Sequence, residues 1–295
     1  MIKLNGVYPP LPTSFTEDED LFLSRYEENI QKLCNYDLAG ILVLGSNGEM
    51  VMLSNVEKKK VYDTARKAIP GGKLMIAGTG AQSTRETISL SVMAYDSGAD
   101  AVLVLNPSYY KGQMNSEVLV RFYHDVADNS PAPVIIYNMP ANSGLDMDAD
   151  TILRASQHHN IIGIKDSGGN LVKMATVIKN AKPGFQVFAG SASFLLPALS
   201  IGAVGGILAL ANIAPELCLN IYNSFYEGKH ESAKEYQLAA VELNTAVTRQ
   251  WGVPALKAAM DYLGFYGGPV RKPLLPISDE IRKQLIELIE RTLEQ

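Results

Sequence analysis

Short, continuously apolar runs recur along the chain, each bounded by glycine, proline, asparagine or serine. Continuous rather than alternating apolar runs are typical of strands that are covered on both faces, as in a parallel sheet. Stretches with helical spacing lie between most of the runs. The pattern therefore predicts alternating strands and helices. The eight predicted strands cover residues 7–12, 40–44, 74–77, 101–105, 134–137, 161–164, 186–189 and 203–210.

Helix start signals support this alternation. Ser54 and Glu57 have the spacing of a capping box, and Ser83 and Glu86 repeat it before an apolar stripe. Eight such units within about 210 residues, without a linker, favour a closed (β/α)8 TIM barrel over an open doubly wound sheet. We therefore predict a barrel core over residues 1–212 and a C-terminal helical appendix over 213–295, packed on the barrel. The predicted tail helices cover 215–225, 231–249, 253–263 and 279–293.

Composition narrows the class of partner. A net charge of −5, from 26 basic and 31 acidic residues, gives no broad positive field for a nucleic acid. The two cysteines, Cys34 and Cys218, are far apart in sequence and fit a reducing compartment better than a disulfide scaffold. The first residues lack a secretory signal, and no segment approaches the ~20 apolar residues that cross a bilayer. We expect a cytoplasmic protein with no membrane partner.

Lys165 is the most informative residue, because it directly follows the predicted strand 161–164. In a TIM barrel the active site lies at the carboxyl ends of the strands. Burial there disfavours the charged form of lysine, lowers its pKa and yields an amine that attacks carbonyl carbon. The alternative is a lysine that reaches solvent or pairs with Asp166. The position predicts a nucleophile at the barrel mouth.

Tyr137 ends the predicted strand before that of Lys165, so the two side chains are expected on neighbouring strands. A phenol beside an amine nucleophile can act as general acid and base. The alternative is an aromatic ring that packs at the barrel mouth with its hydroxyl satisfied by the backbone. The same alternative applies more strongly to Tyr109 and Tyr110, because one adjacent pair is unremarkable in a chain with 14 tyrosines.

Two small polar loops follow other predicted strands. The segment 45–48 contains Ser46 and Asn47 between glycines, a composition that lets amide groups converge on a carboxylate, although a plain strand-to-helix turn would have it too. Gly190 and Ser191 stand where many barrels bind phosphate, but no basic residue is adjacent. The segment 78–83 lacks the third glycine of a dinucleotide fingerprint, and the four histidines have no metal-ligand spacing.

Taken together, the segments at the strand ends resemble the pyruvate-dependent class I aldolases of the dihydrodipicolinate synthase and N-acetylneuraminate lyase superfamily. The likeness extends through most of the chain, and several motifs in the right order are more specific than any one of them. The segments that carry it are 45–49, 107–110, 137–140, 163–167, 190–191 and 206–207.

The resemblance implies a role for each matching residue. Lys165 would form a Schiff base with the 2-keto carbon of the substrate, without a metal or organic cofactor. Tyr137 would relay protons, and Tyr109 would join that relay across a subunit interface in a tetramer assembled from dimers. The resemblance further implies that Ser46 and Asn47 bind the substrate carboxylate. The remaining residues expected to contact substrate are Ser167, Asn142, Gly190, Ser191 and Ile207.

The second substrate is where members of the superfamily differ. Dihydrodipicolinate synthases normally have an arginine at the position of Asn142, and an amide cannot replace the charged, bidentate guanidinium. Segments 140–146, 165–169 and 266–269 look most like 4-hydroxy-2-oxoglutarate aldolases, in which the serine matching Ser167 helps to hold the distal end of the substrate. Alternatives are 4-hydroxy-tetrahydrodipicolinate synthesis, cleavage or dehydration of a 2-keto-3-deoxy sugar acid, and a catalytically silent barrel that binds a keto acid.

Overall fold

The apolar runs form eight parallel strands in a computed structural model that describes residues 2–293. The sheet order is β1-β8-β7-β6-β5-β4-β3-β2. The seam between β1 and β2 is bridged by backbone hydrogen bonds, including Leu42 N to Pro9 O at 3.0 Å, so the sheet is a nearly closed barrel. The strands are β1 Gly6–Tyr8, β2 Gly40–Val43, β3 Leu74–Gly78, β4 Ala101–Leu105, β5 Val134–Asn138, β6 Ile161–Asp166, β7 Gln186–Ala189 and β8 Gly205–Ile207.

Helices alternate with the strands and continue beyond the last one. The predicted (β/α)8 TIM barrel is therefore confirmed. The helices are α1 Leu23–Leu33, α2 Asn55–Ala68, α3 Thr84–Asp96, α4 Ser116–Asn129, α5 Pro140–Ser143, α6 Ala149–Ala155, α7 Leu171–Asn180, α8 Leu195–Ser200, α9 Pro215–Tyr226, α10 His230–Thr245, α11 Gly252–Tyr262 and α12 Asp279–Leu293. The division of the chain at residues 212 and 213 stays a prediction.

Two buried clusters explain why the strands are apolar throughout. In β2, Ile41 and Val43 face the helices, whereas Leu42 faces the barrel interior. The interior is filled by large side chains such as Tyr8 and Phe188, whose rings meet edge to face at 5.9 Å. The barrel is thus a packed core that leaves room for a site only at its ends.

Several strand ends differ from the sequence prediction. The strand predicted over 203–210 is reduced to β8, Gly205–Ile207, because the chain turns into a short 3-10 helix at Ala209–Asn212. The strand predicted over 7–12 stops at Tyr8, because the prolines at 9, 10 and 12 have no N–H to donate to a neighbour. The strand predicted over 161–164 continues to Asp166, so Lys165 lies within β6 rather than after it. The capping box at Ser54 and Glu57 is confirmed, with both reciprocal bonds present.

The tail is attached to the barrel through a buried ion pair. Lys257 of α11 lies 2.6 Å from the Glu49 carboxylate in the loop after β2, and both side chains are 1% exposed. Lys257 also donates to Pro269 O at 2.7 Å, and Glu49 accepts from Arg271 N at 2.9 Å. Burial lowers the pKa of Lys257, and the charge of Glu49 opposes that shift. The loop that carries Ser46 is therefore held by the C-terminal helices.

We expect Lys257→Met to destabilise the protein by about 3–5 kcal/mol, because it leaves the Glu49 carboxylate buried without its counter-ion. Chemical denaturation would measure the loss. The double variant Glu49→Gln with Lys257→Met removes both charges and should recover much of the stability. If Lys257→Met unfolds at the same denaturant concentration as the wild type, the ion pair does not hold this loop.

Candidate active site

A cavity of about 650 Å³ opens at the carboxyl ends of the strands. It collects nearly all of the residues that the sequence singles out, from β5, β6, β8 and the loops that follow β2, β5, β6 and β7. The predicted residues that line it are Ser46, Asn47, Tyr137, Asn142, Lys165, Ser167, Gly190, Ser191 and Ile207.

Lys165 and Tyr137 face each other inside this cavity. They are directly opposite in the register of β5 and β6, and each is 4% exposed. The Lys165 Nζ atom lies 4.2 Å from the centroid of the Tyr137 ring, within the range of a cation–π contact. The expectation that the two side chains lie on neighbouring strands is confirmed.

The Tyr137 hydroxyl is the focus of several polar side chains. Burial alone would raise the pKa of this phenol, but the charge of Lys165 and hydrogen bonds from Ser46, Lys165 and Ser167 together lower it below its usual value. The Ser46 hydroxyl lies 3.3 Å from the Tyr137 oxygen. This arrangement suits a phenol that must release and recover a proton.

Asp166 does not pair with Lys165, although the two are adjacent in sequence. Successive strand residues point to opposite faces, so Asp166 points away from the cavity. Its carboxylate lies 3.2 Å from Lys173 Nζ and accepts from Asn138 Nδ2 at 3.0 Å. The Asp166 carboxylate therefore has its own buried partners, and Lys165 faces the phenol instead.

The loop with Ser46 and Asn47 forms a tight helical turn over Ser46–Gly48. Leu44, two residues before the turn, and Glu49, directly after it, have φ of 55° and 54°. Left-handed backbone at non-glycine residues is costly and often occurs at functional sites. The buried contact of Glu49 with the tail holds this conformation, and it fixes the turn over the cavity.

The loops after β6 and β7 support each other across the cavity wall. Ser167 Oγ donates to Gly190 O at 3.4 Å, and Gly190 N donates to Asp166 O at 2.8 Å. A Cβ atom on Gly190 would lie 2.0 Å from Ser167 Oγ, so the close approach requires glycine. Asn244 Nδ2 of α10 donates to Ser191 Oγ at 2.8 Å. The tail thus orients a second loop of the site.

Tyr109 is the one predicted site residue that does not line the cavity. Its side chain is 79% exposed and packs edge to face with Tyr110, at 5.1 Å between ring centroids. A single chain therefore does not bring this tyrosine to Lys165. Its predicted role depends on a neighbouring subunit, and that role stays a prediction.

Sequence reasoning missed the contribution of the tail to the cavity. The helix predicted over 231–249 ends at Thr245 and continues as a wide π-helical turn, Ala246–Gln250, closed by Trp251 N donating to Ala246 O at 3.0 Å. The sequence predicts only that the tail packs on the barrel, and the aldolase-like segment 266–269 does not indicate a contact with the cavity. The tail residues that line the cavity are Val247, Thr248, Arg249, Gly252 and Val253.

The part of the chain that the structure describes has neither a metal-binding cluster nor a membrane-spanning helix. Within residues 2–293, no group of three or more histidine, cysteine or acidic side chains could hold a metal ion. No helix in the same part of the chain is long and apolar enough to cross a membrane.

Known proteins with similar sequences cover almost the whole chain. The model of the dihydrodipicolinate synthetase family matches residues 3–292. A probable mitochondrial 4-hydroxy-2-oxoglutarate aldolase from Emericella nidulans is 40% identical over 98% of this chain and 95% of its own. An L-threo-3-deoxy-hexylosonate aldolase from Hypocrea jecorina is 35% identical over 91% of this chain and 90% of its own.

Solved structures have the same architecture. A dihydrodipicolinate synthase from Bacillus anthracis has a TM-score of 0.94 at 26% identity, over 98% of this chain and 99% of that one. A prophage protein of the dihydrodipicolinic acid synthase family from E. coli K12, solved with pyruvate, has a TM-score of 0.92 at 30% identity, over 99% of each chain. The fold and these relatives define a lyase, a pyruvate-dependent class I aldolase. The chain belongs to the dihydrodipicolinate synthetase family.

We expect Lys165→Met to raise the pKa of Tyr137 above its usual value. The phenolate is the charged form, so a positive neighbour lowers this pKa, and burial alone raises it. Ultraviolet absorbance of tyrosinate during an alkaline titration would show ionisation of Tyr137 at higher pH in the variant. Matched titrations of proteins that also carry Tyr137→Phe isolate its signal. If Tyr137 ionises at the same pH in the wild type and in Lys165→Met, the electrostatic role of Lys165 is contradicted.

Proposed function

We propose that the protein cleaves 4-hydroxy-2-oxoglutarate to pyruvate and glyoxylate through a Schiff base on Lys165. The observation that carries this proposal is the buried Lys165, whose Nζ atom lies 4.2 Å from the centroid of the Tyr137 ring and which lines the cavity. A buried primary amine beside a proton-transfer group is what carbinolamine chemistry requires. No metal or organic cofactor takes part.

The reaction begins when Lys165, having passed its proton to the Tyr137 phenolate, attacks C2 of the substrate as a free amine. Tyr137 delivers the proton that lets the carbinolamine lose water, and an iminium forms. The iminium accepts the electron pair of the C3–C4 bond as the C4 hydroxyl gives its proton to the Tyr137 phenolate, and glyoxylate leaves. The resulting enamine is protonated at C3 and hydrolysed to pyruvate, which frees Lys165. The lowered pKa of Tyr137 suits a group that passes protons in both directions.

The other predicted residues bind rather than react. The turn with Ser46 and Asn47 offers hydroxyl, amide and backbone donors to the carboxylate next to the ketone. Ser167 lies beside Gly190 and Ser191 on the opposite wall and contacts the distal part of the substrate. Ile207 forms part of the apolar floor, and it excludes water from the bond to Lys165.

Asn142 favours this substrate over aspartate semialdehyde. It lines the cavity from α5, where a synthase of 4-hydroxy-tetrahydrodipicolinate would need a charged fork for the aldehyde's carboxylate. The 40% identity to an aldolase for 4-hydroxy-2-oxoglutarate supports the same choice. The relative that acts on a deoxy-hexylosonate keeps a longer sugar acid as the runner-up substrate.

We further propose a homotetramer in which Tyr109 reaches the proton relay of a neighbouring subunit. Its exposed ring, outside the cavity of its own chain, supports this assignment.

Borohydride reduction in the presence of pyruvate should attach the pyruvate carbon skeleton to Lys165 alone, because reduction traps the iminium. Peptide mass spectrometry would locate the added mass. Lys173 and Lys257, also buried but ion-paired, are internal controls that should stay unmodified. The variant Lys165→Arg keeps a cation and should take up none. An unmodified Lys165 would overturn the Schiff-base proposal.

Pyruvate release from 4-hydroxy-2-oxoglutarate should exceed that from a 2-keto-3-deoxy sugar acid, and condensation of pyruvate with aspartate semialdehyde should be slow. Comparing kcat/KM across these three reactions would test the substrate. Asn142→Arg supplies the missing guanidinium, so it should raise the rate with aspartate semialdehyde relative to the wild type. If the wild type has its highest kcat/KM with the 2-keto-3-deoxy sugar acid, that acid is the correct substrate and 4-hydroxy-2-oxoglutarate is not.

A further inference from the structure

Charge within the cavity is unevenly distributed. Among the described residues that line it, the charged side chains are Lys165 and Arg249, and no carboxylate is present. In the proposed mechanism Lys165 is neutral when it attacks and becomes bonded to C2. The proposed substrate carries two carboxylates, at opposite ends of a five-carbon chain. Arg249 is therefore the fixed positive charge of the site.

Arg249 has no protein partner that would neutralise it. Its guanidinium forms no hydrogen bond or ion pair with any of residues 2–293, and its side chain is exposed. Many other arginines are committed to carboxylates of the protein. Those that form ion pairs are Arg25, Arg66, Arg121, Arg154, Arg271 and Arg291. An unpaired guanidinium at a cavity wall is free to bind an anion.

The backbone that carries Arg249 is unusual in the same place. The π-helical turn Ala246–Gln250 interrupts the run from α10 to α11, and it brings Val247, Thr248 and Arg249 to the cavity lining. π-Helical turns are rare in proteins, and those that occur often lie at functional sites. Its start is anchored, since Asn244 donates to Ser191 and Ser193 of the loop after β7.

We infer that Arg249 binds the distal carboxylate of the substrate and so selects dicarboxylic 2-keto acids. The inference rests on the proposed function. The inference explains how the site would hold a dianion although α5 has Asn142 in place of an arginine. The guanidinium of Arg249, in the tail, would supply the positive charge instead. Ser46 and Asn47 would hold the carboxylate beside the ketone, and Arg249 the one released in glyoxylate.

Two substrates that differ only at the distal end test this assignment. One is 4-hydroxy-2-oxoglutarate, and the other is 4-hydroxy-2-oxopentanoate, in which a methyl group replaces the distal carboxylate. Arg249→Gln should lower kcat/KM for the first by about ten- to a hundredfold, the effect of one charge-assisted contact. It should leave kcat/KM for the second unchanged. Arg249→Lys, which keeps the charge, should recover part of the loss.

Arg282→Gln is the matched control, since it makes the same change at an exposed arginine of α12 outside the cavity lining. It should behave as the wild type with both substrates. The inference is overturned if Arg249→Gln lowers kcat/KM equally for both substrates, or for neither.

Schiff-base trapping separates this outcome from failure of the proposed function. Arg249→Gln should trap pyruvate on Lys165 as well as the wild type does, but should trap 2-oxoglutarate less well relative to 2-oxopentanoate. An equal trapping ratio in both proteins overturns the role of Arg249 and leaves the Schiff base standing. Absence of any adduct in the wild type overturns the proposed function itself.

Discussion

The site depends on holding one amine almost dry while its neighbouring carboxylate is turned away. Strand alternation does this in β6, where Lys165 points into the barrel and Asp166 points toward Asn138 and Lys173. The inward lysine then meets the ring of Tyr137 across the strand pair. A shift of one residue in this strand would exchange the two groups and put a carboxylate in the cavity.

The tail holds the site together as well as covering the barrel. Glu49 and Lys257 join the loop after β2 to α11, and Asn244 joins the loop after β7 to α10. Both loops carry small polar residues whose positions would otherwise depend on flexible backbone. Their side chains are therefore oriented by contacts that are distant in sequence, and binding groups held this way are already arranged before substrate enters.

The sequence predicted the barrel well, because its signals are local. Buried parallel strands are continuously apolar, and residues at their carboxyl ends must meet, so the cavity lining that includes Lys165 and Tyr137 could be predicted. That Arg249 lines the cavity could not be predicted from the sequence. It depends on where α10 changes to a wider turn and on how the tail folds back, and neither has a local signature. The exposed ring of Tyr109 likewise depends on packing beyond a single chain.

The wide turn at Ala246–Gln250 has an evolutionary consequence. It holds one residue more than a regular α-helical turn, so deleting a residue there would restore ordinary helical winding. The side chain presented to the cavity would then change by a rotation of about 100° about the helix axis. The barrel strands that carry the amine and the phenol would be untouched. Single-residue insertions and deletions at this turn offer a route by which such a scaffold acquires new selectivity while it conserves its bond chemistry.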